Sequence, residues 1–375
     1  MDKIYLDNAA TTPLLPEVKK YVVSLLDQYA NPSSLYRDGL QSRKIIEDSR
    51  LNVAKFINAD KREILFTSSG SASNTLAIHG YMEKHSCKLL YSPIAHKSIL
   101  NCVKSYSNAS PLKVDKYGII DLDDLKDWLK SVPNQAFVVI DYANSEIGTC
   151  QDIVKIINLV HYYHGIVYLD CTGSISQIPL DVKSIDVDMA GFSAHKIGGL
   201  KGCGVLYKNQ KIELSPLIYG EQEHGLFAGT ENILGIASLG KAVEYYNYNT
   251  TSLCRDYVYT YIKQNIKDTY LVGSSPNNRL PQNLYMYFKG VQGEILTRLL
   301  DMKNIQVSTG SACNSQSLQP SPALLAIGMD TNDMYSCIRM SFSGNETLYE
   351  LDYICETLNE CVSRLRNIQK RTDQN

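Results

Sequence analysis

The sequence predicts an α/β fold on a mainly parallel central sheet, with a smaller α+β region after it. Three observations carry this reading. First, short apolar runs recur along the chain: "EILFT", "KLLYSP", "AFVVIDYAN", "GIVYLDCT", "VDMAGFSA" and "CGVLYK". Nearly unbroken Val, Ile and Leu is what strands buried on both faces need. Second, "LPEVKKYVVSLLDQY", "LQSRKIIEDSRLNVAKFIN" and "QDIVKIINLVHYYHG" place apolar residues at helical spacing, so they read as helices covering that sheet. Third, the texture changes near residue 250. A Tyr-rich amphipathic helix is followed by "LPQNLYMYFKG", "VQGEILTRLLDMKNI", a Ser/Gly loop, "IRMSFS" and a last helix through "LYELDYICETLNECVSRLRNI". The seam falls in "YYNYNTTS", where periodicity is weak, giving a large domain over 15–248 and a small one from 1–14 and 249–375.

The chain has 375 residues, 44% of them hydrophobic and 20% charged, enough for one large core and a second, smaller one. Formal net charge is −2, with basic residues dispersed, so no footprint of direct nucleic-acid binding is expected. No window approaches a membrane span and "MDKIYLDNAATTP" has no signal-type apolar core, which predicts a cytoplasmic protein. Ten cysteines in a chain of this length, without a C-x-x-C pair, read as reduced thiols. Cys87, Cys102 and Cys254 are expected to be small buried hydrophobes. The seven histidines have no metal-ligand spacing.

The chemistry begins at "GFSAHKIGG", where Lys196 follows an apolar strand and opens into a glycine turn. Ligand sites of α/β sheets form at the carboxyl ends of strands, and a partly desolvated lysine there can form a Schiff base. Taken alone, the stretch fits an ordinary surface lysine better. "GIVYLDCTGS" adds a buried-type strand ending in Asp170, a carboxylate that needs a cationic partner. Lysine plus aspartate is the pair expected for pyridoxal phosphate. A phosphate cradle is offered by "FTSSGSASNTLAIHGY", a strand, a Gly/Ser turn and a helix start, although the turn alone fits simple capping by Ser71 or Ser73. His96, in "SPIAHKS", ends the next strand, where an imidazole can stack on a cofactor or be structural. "STGSACNSQS", 308–317, is a small polar run with one thiol, Cys313.

With "YLDNAATTP", "NPSSLYRDG", "NSEIG", "FSAHKIGGLKG", "GTEN", "STGSACNSQS" and "IRMS" in this order, the chain resembles the cysteine desulfurases of the NifS/IscS type over nearly its whole length. The resemblance implies a fold-type I pyridoxal-phosphate enzyme, homodimeric, with sites at the subunit interface. Lys196 would carry the cofactor aldehyde, Asp170 pair with its ring nitrogen, His96 stack on the ring, and Asn144 touch its phenolic edge. Gly70, Ser71, Ser193, His195 and, from the other subunit, Thr230 would hold the phosphate. Arg339 would grip the carboxylate of L-cysteine, and Cys313 would take its sulfur as a persulfide for an acceptor protein, leaving L-alanine. A related lyase or aminotransferase that ignores Cys313, or a non-catalytic relay subunit, stands as the alternative. The match departs at Gly173, where the family usually has glutamine, with Cys171 as a stand-in. It departs again at Phe227, which takes the place of an arginine at the site entrance beside His224, and at "SGSAS" in the phosphate turn.

Overall fold

The computed structural model describes residues 3–248, 251–309 and 320–372, with side chains up to residue 369. After a short strand β1 (Ile4–Tyr5), helices α1 (Pro16–Ser24) and α2 (Arg37–Phe56) lead into the main alternation. It runs β2 (Ile64–Thr67), α3 (Gly70–Lys84), β3 (Lys88–Tyr91), α4 (Lys97–Val103), β4 (Ala109–Pro111), α5 (Leu122–Ser131), β5 (Ala136–Asp141), α6 (Ile153–Tyr162), β6 (Ile166–Asp170), β7 (Met189–Ser193), β8 (Gly204–Lys208) and α7 (Ile233–Tyr245). These strands form one seven-stranded sheet in the order β2-β8-β7-β6-β5-β3-β4. β3 to β7 are mutually parallel and β8 runs against both its neighbours. The mainly parallel sheet expected from the apolar runs is present.

Side chains of the central strands alternate between two apolar layers, the period of two that a pleated strand imposes. Val138, Ile140, Val167, Leu169, Ala190 and Phe192 pack under α1, α2, α5, α6 and α7. Phe137, Val139, Tyr168, Met189 and Leu206 pack under α3 and α4. That alternation decides which residues at the strand ends face the site. Asp141 continues the row of Phe137 and Val139, and Asp170 continues that of Tyr168, so both stand on the α3/α4 side.

The rest of the chain supplies α8 (Thr251–Asn265), β9 (Thr269–Leu271), β10 (Asn283–Phe288), α9 (Gly293–Asp301), β11 (Ile305–Gln306), α10 (Pro322–Ala326), α11 (Thr331–Met334), β12 (Cys337–Ser341) and α12 (Leu348–Thr372). An antiparallel sheet β12-β10-β9 and the parallel pair β1-β11 share a second apolar cluster with α8, α9 and α12. β1 therefore packs with the C-terminal elements, not with the seven-stranded sheet. A small cluster of Ile94, Ile147, Val272, Tyr285, Leu324 and Met334 joins the two cores beside the site. Among the described residues no helix is long and apolar enough to cross a membrane.

Candidate active site

The carboxyl ends of β5, β6 and β7 open on a cavity of about 390 Å³, within the size range of small-molecule sites. Lys196, His96, Asp170, Gly70, Ser71, Asn144, Ser193, His195 and Arg339 all line it. Residues far apart in sequence meet here because parallel strands deliver all their carboxyl ends to one edge.

Lys196 follows β7 in a single 3-10 turn, and its Nζ donates to the carbonyls of Ala9 and, at 2.9 Å, Ala10. The N-terminal segment "YLDNAATTP" thus positions the amine. It is held by Asn8, which donates to Ser341 O at 2.8 Å, and by Thr12, whose hydroxyl accepts from Gly198 N–H. Asp170 is 4% exposed. Its Oδ1 accepts from Thr172 N–H at 2.8 Å and its Oδ2 from Asn74 Nδ2 at 2.9 Å. No Lys, Arg or His among the described residues pairs with it.

His96 is tied to Asp170 through two intermediaries. Asn74 Nδ2 also donates to Ser98 Oγ at 2.9 Å, and Ser98 Oγ bonds His96 Nδ1 at 2.8 Å. With Ser98 accepting from Asn74 its own proton points to Nδ1, which leaves the neutral ring proton on Nε2. Tyr168 OH donates to Asn74 Oδ1 and locks the amide orientation. None of Asn74, Ser98 or Thr172 was singled out from the sequence. Asn74 was within reach, since it lies one turn after Gly70 on the same helix face.

The expected cradle is the start of α3. Its cap is Ser69, whose hydroxyl accepts from Ala72 N–H at 3.1 Å, and not Ser71 or Ser73. Ser73 is buried against Thr67 at 2.7 Å instead. This leaves the first N–H groups, of Gly70 and Ser71, without intrahelical acceptors at the positive end of a helix. A Cβ on Gly70 would lie 2.9 Å from Thr172 Oγ1, so a side chain here would close the cradle. Ser193 donates to Cys203 O at 3.3 Å, and His195 Nδ1 meets Thr11 Oγ1 at 3.1 Å. Burial, with Lys196 and Lys201 nearby, pushes His195 down to about 4, so its imidazole is neutral at pH 7. Thr172 Oγ1 is buried with no partner among the described residues.

Asn144 Nδ2 donates to Ile94 O at 2.6 Å, and its Oδ1 accepts from Glu146 N–H and Ile147 N–H. It shapes its own loop and keeps one N–H for a ligand. Arg339 is not wholly free either. Nη2 pairs with Asp7 at 2.8 Å and Nη1 donates to Ser145 O at 3.1 Å, while Nε, buried, has no partner among the described residues. Thr230 is exposed and does not line this chain's cavity.

Cys313 lies outside the described residues. Its flanks do not. Ser308 pairs with Arg339 backbone to backbone, and Ser321 to Ala323 line the cavity. Glu146 ties the two flanks together. It accepts from Ser321 Oγ at 2.8 Å and from Tyr285 OH at 3.3 Å, and that hydroxyl also reaches Thr309 O. The nine described cysteines are all free. Cys254 is buried and Cys87 and Cys102 are half-buried. Burial pushes Cys150 and Cys203 up to about 12, which makes them poor nucleophiles near neutral pH.

One reading of the departures needs correction. Cys171 does not stand in for the missing glutamine: it belongs to the opposite apolar layer and is fully buried there. Instead, the loop 143–145 closes on Gly173, where a Cβ would sit 2.7 Å from Ala143 O and 3.2 Å from Ser145 Cβ. The space of a side chain is taken by the loop that carries Asn144. Phe227 packs against the α3/α4 layer and, like His224 and Thr230, does not line this chain's own cavity.

The donor set fits pyridoxal phosphate. Asp170 is a buried carboxylate lacking a cation, Lys196 is a positioned amine, and the α3 N-terminus with neutral His195 offers a cradle for an anion. Among the described residues no group of three or more His, Cys, Asp or Glu could hold a metal ion.

Comparison with known proteins agrees with this architecture. Residues 4–354 match the family model described as aminotransferase class-V. A relative named cysteine desulfurase IscS, from Dictyoglomus turgidum, is 36% identical over 98% of this chain and 96% of its own length. The X-ray structure of a NifS-like protein from Rickettsia africae superposes with a TM-score of 0.87 at 29% identity, covering 96% of this chain and 99% of that one. The structure titled SspA in complex with cysteine superposes with a TM-score of 0.78, also at 29% identity, over 92% of this chain and all of that one. The chain belongs to the aminotransferase class-V family, among its cysteine desulfurases.

Proposed function

We propose that this chain converts L-cysteine to L-alanine and carries the sulfur away as a persulfide on Cys313, for delivery to an acceptor protein in the cytoplasm. The observation that carries the reading is the meeting of Lys196, Asp170 and Arg339 on one cavity whose wall also holds the C-terminal flank of the Cys313 segment, while the N-terminal flank pairs through Ser308 with the Arg339 backbone. Pyridoxal phosphate, when bound, supplies the electron sink that makes the Cα–H and Cβ–S bonds of an amino acid reactive. Lys196 would hold it and Asp170 would face its ring nitrogen. Gly70, Ser71, Ser193 and His195 would take its phosphate, with Thr230 contributed by a second subunit of a homodimer. Residues 15–248 form the part that binds the cofactor in this reading; 1–14 and 249–375 form the part that brings Cys313.

The chain's own groups account for the remaining work. Arg339 Nε, without a partner among the described residues and next to Asp7-bound Nη2, takes the substrate carboxylate and so fixes which face of Cα meets Lys196. Lys196 Nζ, once a free amine, accepts the Cα proton. His96, with its proton on Nε2, presents a hydrogen-bond donor at the same cavity. Cys313 thiolate then forms an S–S bond as the substrate Cβ–S bond breaks. The sulfur is oxidised, and the carbon keeps the electron pair, gains a proton and leaves in alanine. Incubation with L-cysteine, followed by alanine and sulfide assays on wild type, Cys313→Ser and Lys196→Ala, tests the reading. Both variants are expected to lose turnover. Full turnover in Cys313→Ser would instead make the protein a simple lyase.

A further inference from the structure

Asp141 is a buried carboxyl that the mechanism above leaves unused. It ends β5 as Asp170 ends β6, and the two are register partners on neighbouring parallel strands. In-register residues of parallel strands point to the same face, so both carboxyls stand on the α3/α4 side and both line the cavity with Lys196 and His96. Their circumstances differ. Asp170 has both oxygens bonded, whereas Asp141 is 4% exposed and neither oxygen has a hydrogen-bond partner among the described residues. A buried carboxyl without a donor is costly unless it holds a proton or meets a ligand.

We propose that Asp141 is a second carboxyl of the cofactor pocket, a positioning residue that acts beside Asp170 to set the negative charge met by the cofactor ring. The proposal rests on the reading that Lys196 and Asp170 hold pyridoxal phosphate. Burial pushes Asp141 up to about 6. Its own backbone N–H and the Ser92 hydroxyl after β3, both near the carboxyl but short of hydrogen-bond geometry, oppose that rise, as does His96 at the start of α4, while the Asp170 charge across the strand pair adds to it. Cys150, ahead of α6, is the other titratable neighbour and stays a neutral thiol. Lys97, Glu146, Lys196 and Arg339 line the same cavity. Asp141 therefore gains its negative charge as pH rises through about 6. That charge favours protonation of the bound cofactor.

The test is a pH titration of the visible absorption band of the holoenzyme, wild type against Asp141→Asn. Asparagine resembles the protonated acid in shape, so the pocket is preserved. The midpoint is expected to fall by about one pH unit in the variant, the scale of a single nearby charge; superimposable curves would overturn the proposal. If the variant does not load cofactor, wild type alone decides. With 13C-carboxyl aspartate, addition of pyridoxal phosphate to the cofactor-free protein should lower the Asp141 midpoint, and no change would overturn it. The yellow band itself, expected to be lost in Lys196→Ala, reports whether the cofactor reading holds, separately from either midpoint.

Discussion

Protonation of Asp141 also bears on stability. Its folded-state pKa, about 6, lies above the ordinary 3.8, so the native state binds the proton more tightly than the unfolded chain. The sign follows: stability is fully present below about pH 4 and is lost as pH rises through 6. Urea unfolding of the cofactor-free protein should show Asp141→Asn more stable than wild type by about 3 kcal/mol at pH 8 and equal to it near pH 4. A constant difference at both pH values would contradict this. His195 runs the other way. Held at about 4 by burial and by Lys196, it opposes native stability as pH falls from 6.5 towards 4, because the unfolded chain takes up the proton first. Imidazole NMR of the cofactor-free protein should give a midpoint near 4, rising when pyridoxal phosphate brings a dianion to the cradle. A midpoint near 6.5 without cofactor would show the site to be wetter than its burial indicates. At this scale the sequence was only partly legible. "AFVVID" and "IVYLD" both end an apolar run in aspartate, yet only Asp170 was read as a site residue. Nothing in the linear order says that the two strands are neighbours in register.

Among the elements, the loop 143–145 and its contact with Gly173 account for a glycine where the family usually has glutamine. Because a Cβ at 173 meets Ala143 O at 2.7 Å, Gly173→Gln should not restore a family-like site. It should displace Asn144, weaken cofactor binding and cost about 1–3 kcal/mol in unfolding. Tighter cofactor binding in that variant would contradict the packing argument. Glu146 makes a second test at this scale. It bonds Ser321, which caps α10, and Tyr285, so Glu146→Ala leaves the Ser321 hydroxyl without its acceptor and Tyr285 OH with Thr309 O alone. A loss of about 1–3 kcal/mol is expected, with faster amide exchange in 323–326. Unchanged exchange would mean that the clasp is not needed to hold α10. Helix α3 was read correctly as an element but with the wrong cap. Ser69, Ser71 and Ser73 all suit the role, and only the backbone turn, extended at Ser69, selects among them.

For the whole molecule, the mainly parallel sheet and its covering helices were legible because strands buried on both faces write themselves as apolar runs. The pairing of β1 with β11 was not, since Ile4–Tyr5 and Ile305–Gln306 are too short for any periodicity to show. Nor can one chain's pattern reveal what a second copy adds. Thr230 is exposed and off this chain's cavity, so the homodimer reading makes a specific prediction. The holoenzyme should sediment as a dimer, and Thr230→Ala should weaken cofactor retention; a monomer that retains cofactor normally would contradict it. The central claim is that Lys196 and Cys313 act on one substrate at one cavity. A single-turnover reaction with L-cysteine and no reductant, read by alanine assay and by mass spectrometry of the Cys313 peptide, tests it most directly. The account predicts alanine and a peptide heavier by one sulfur atom, neither of them in Lys196→Ala; alanine formed while the Cys313 peptide stays unmodified would contradict it.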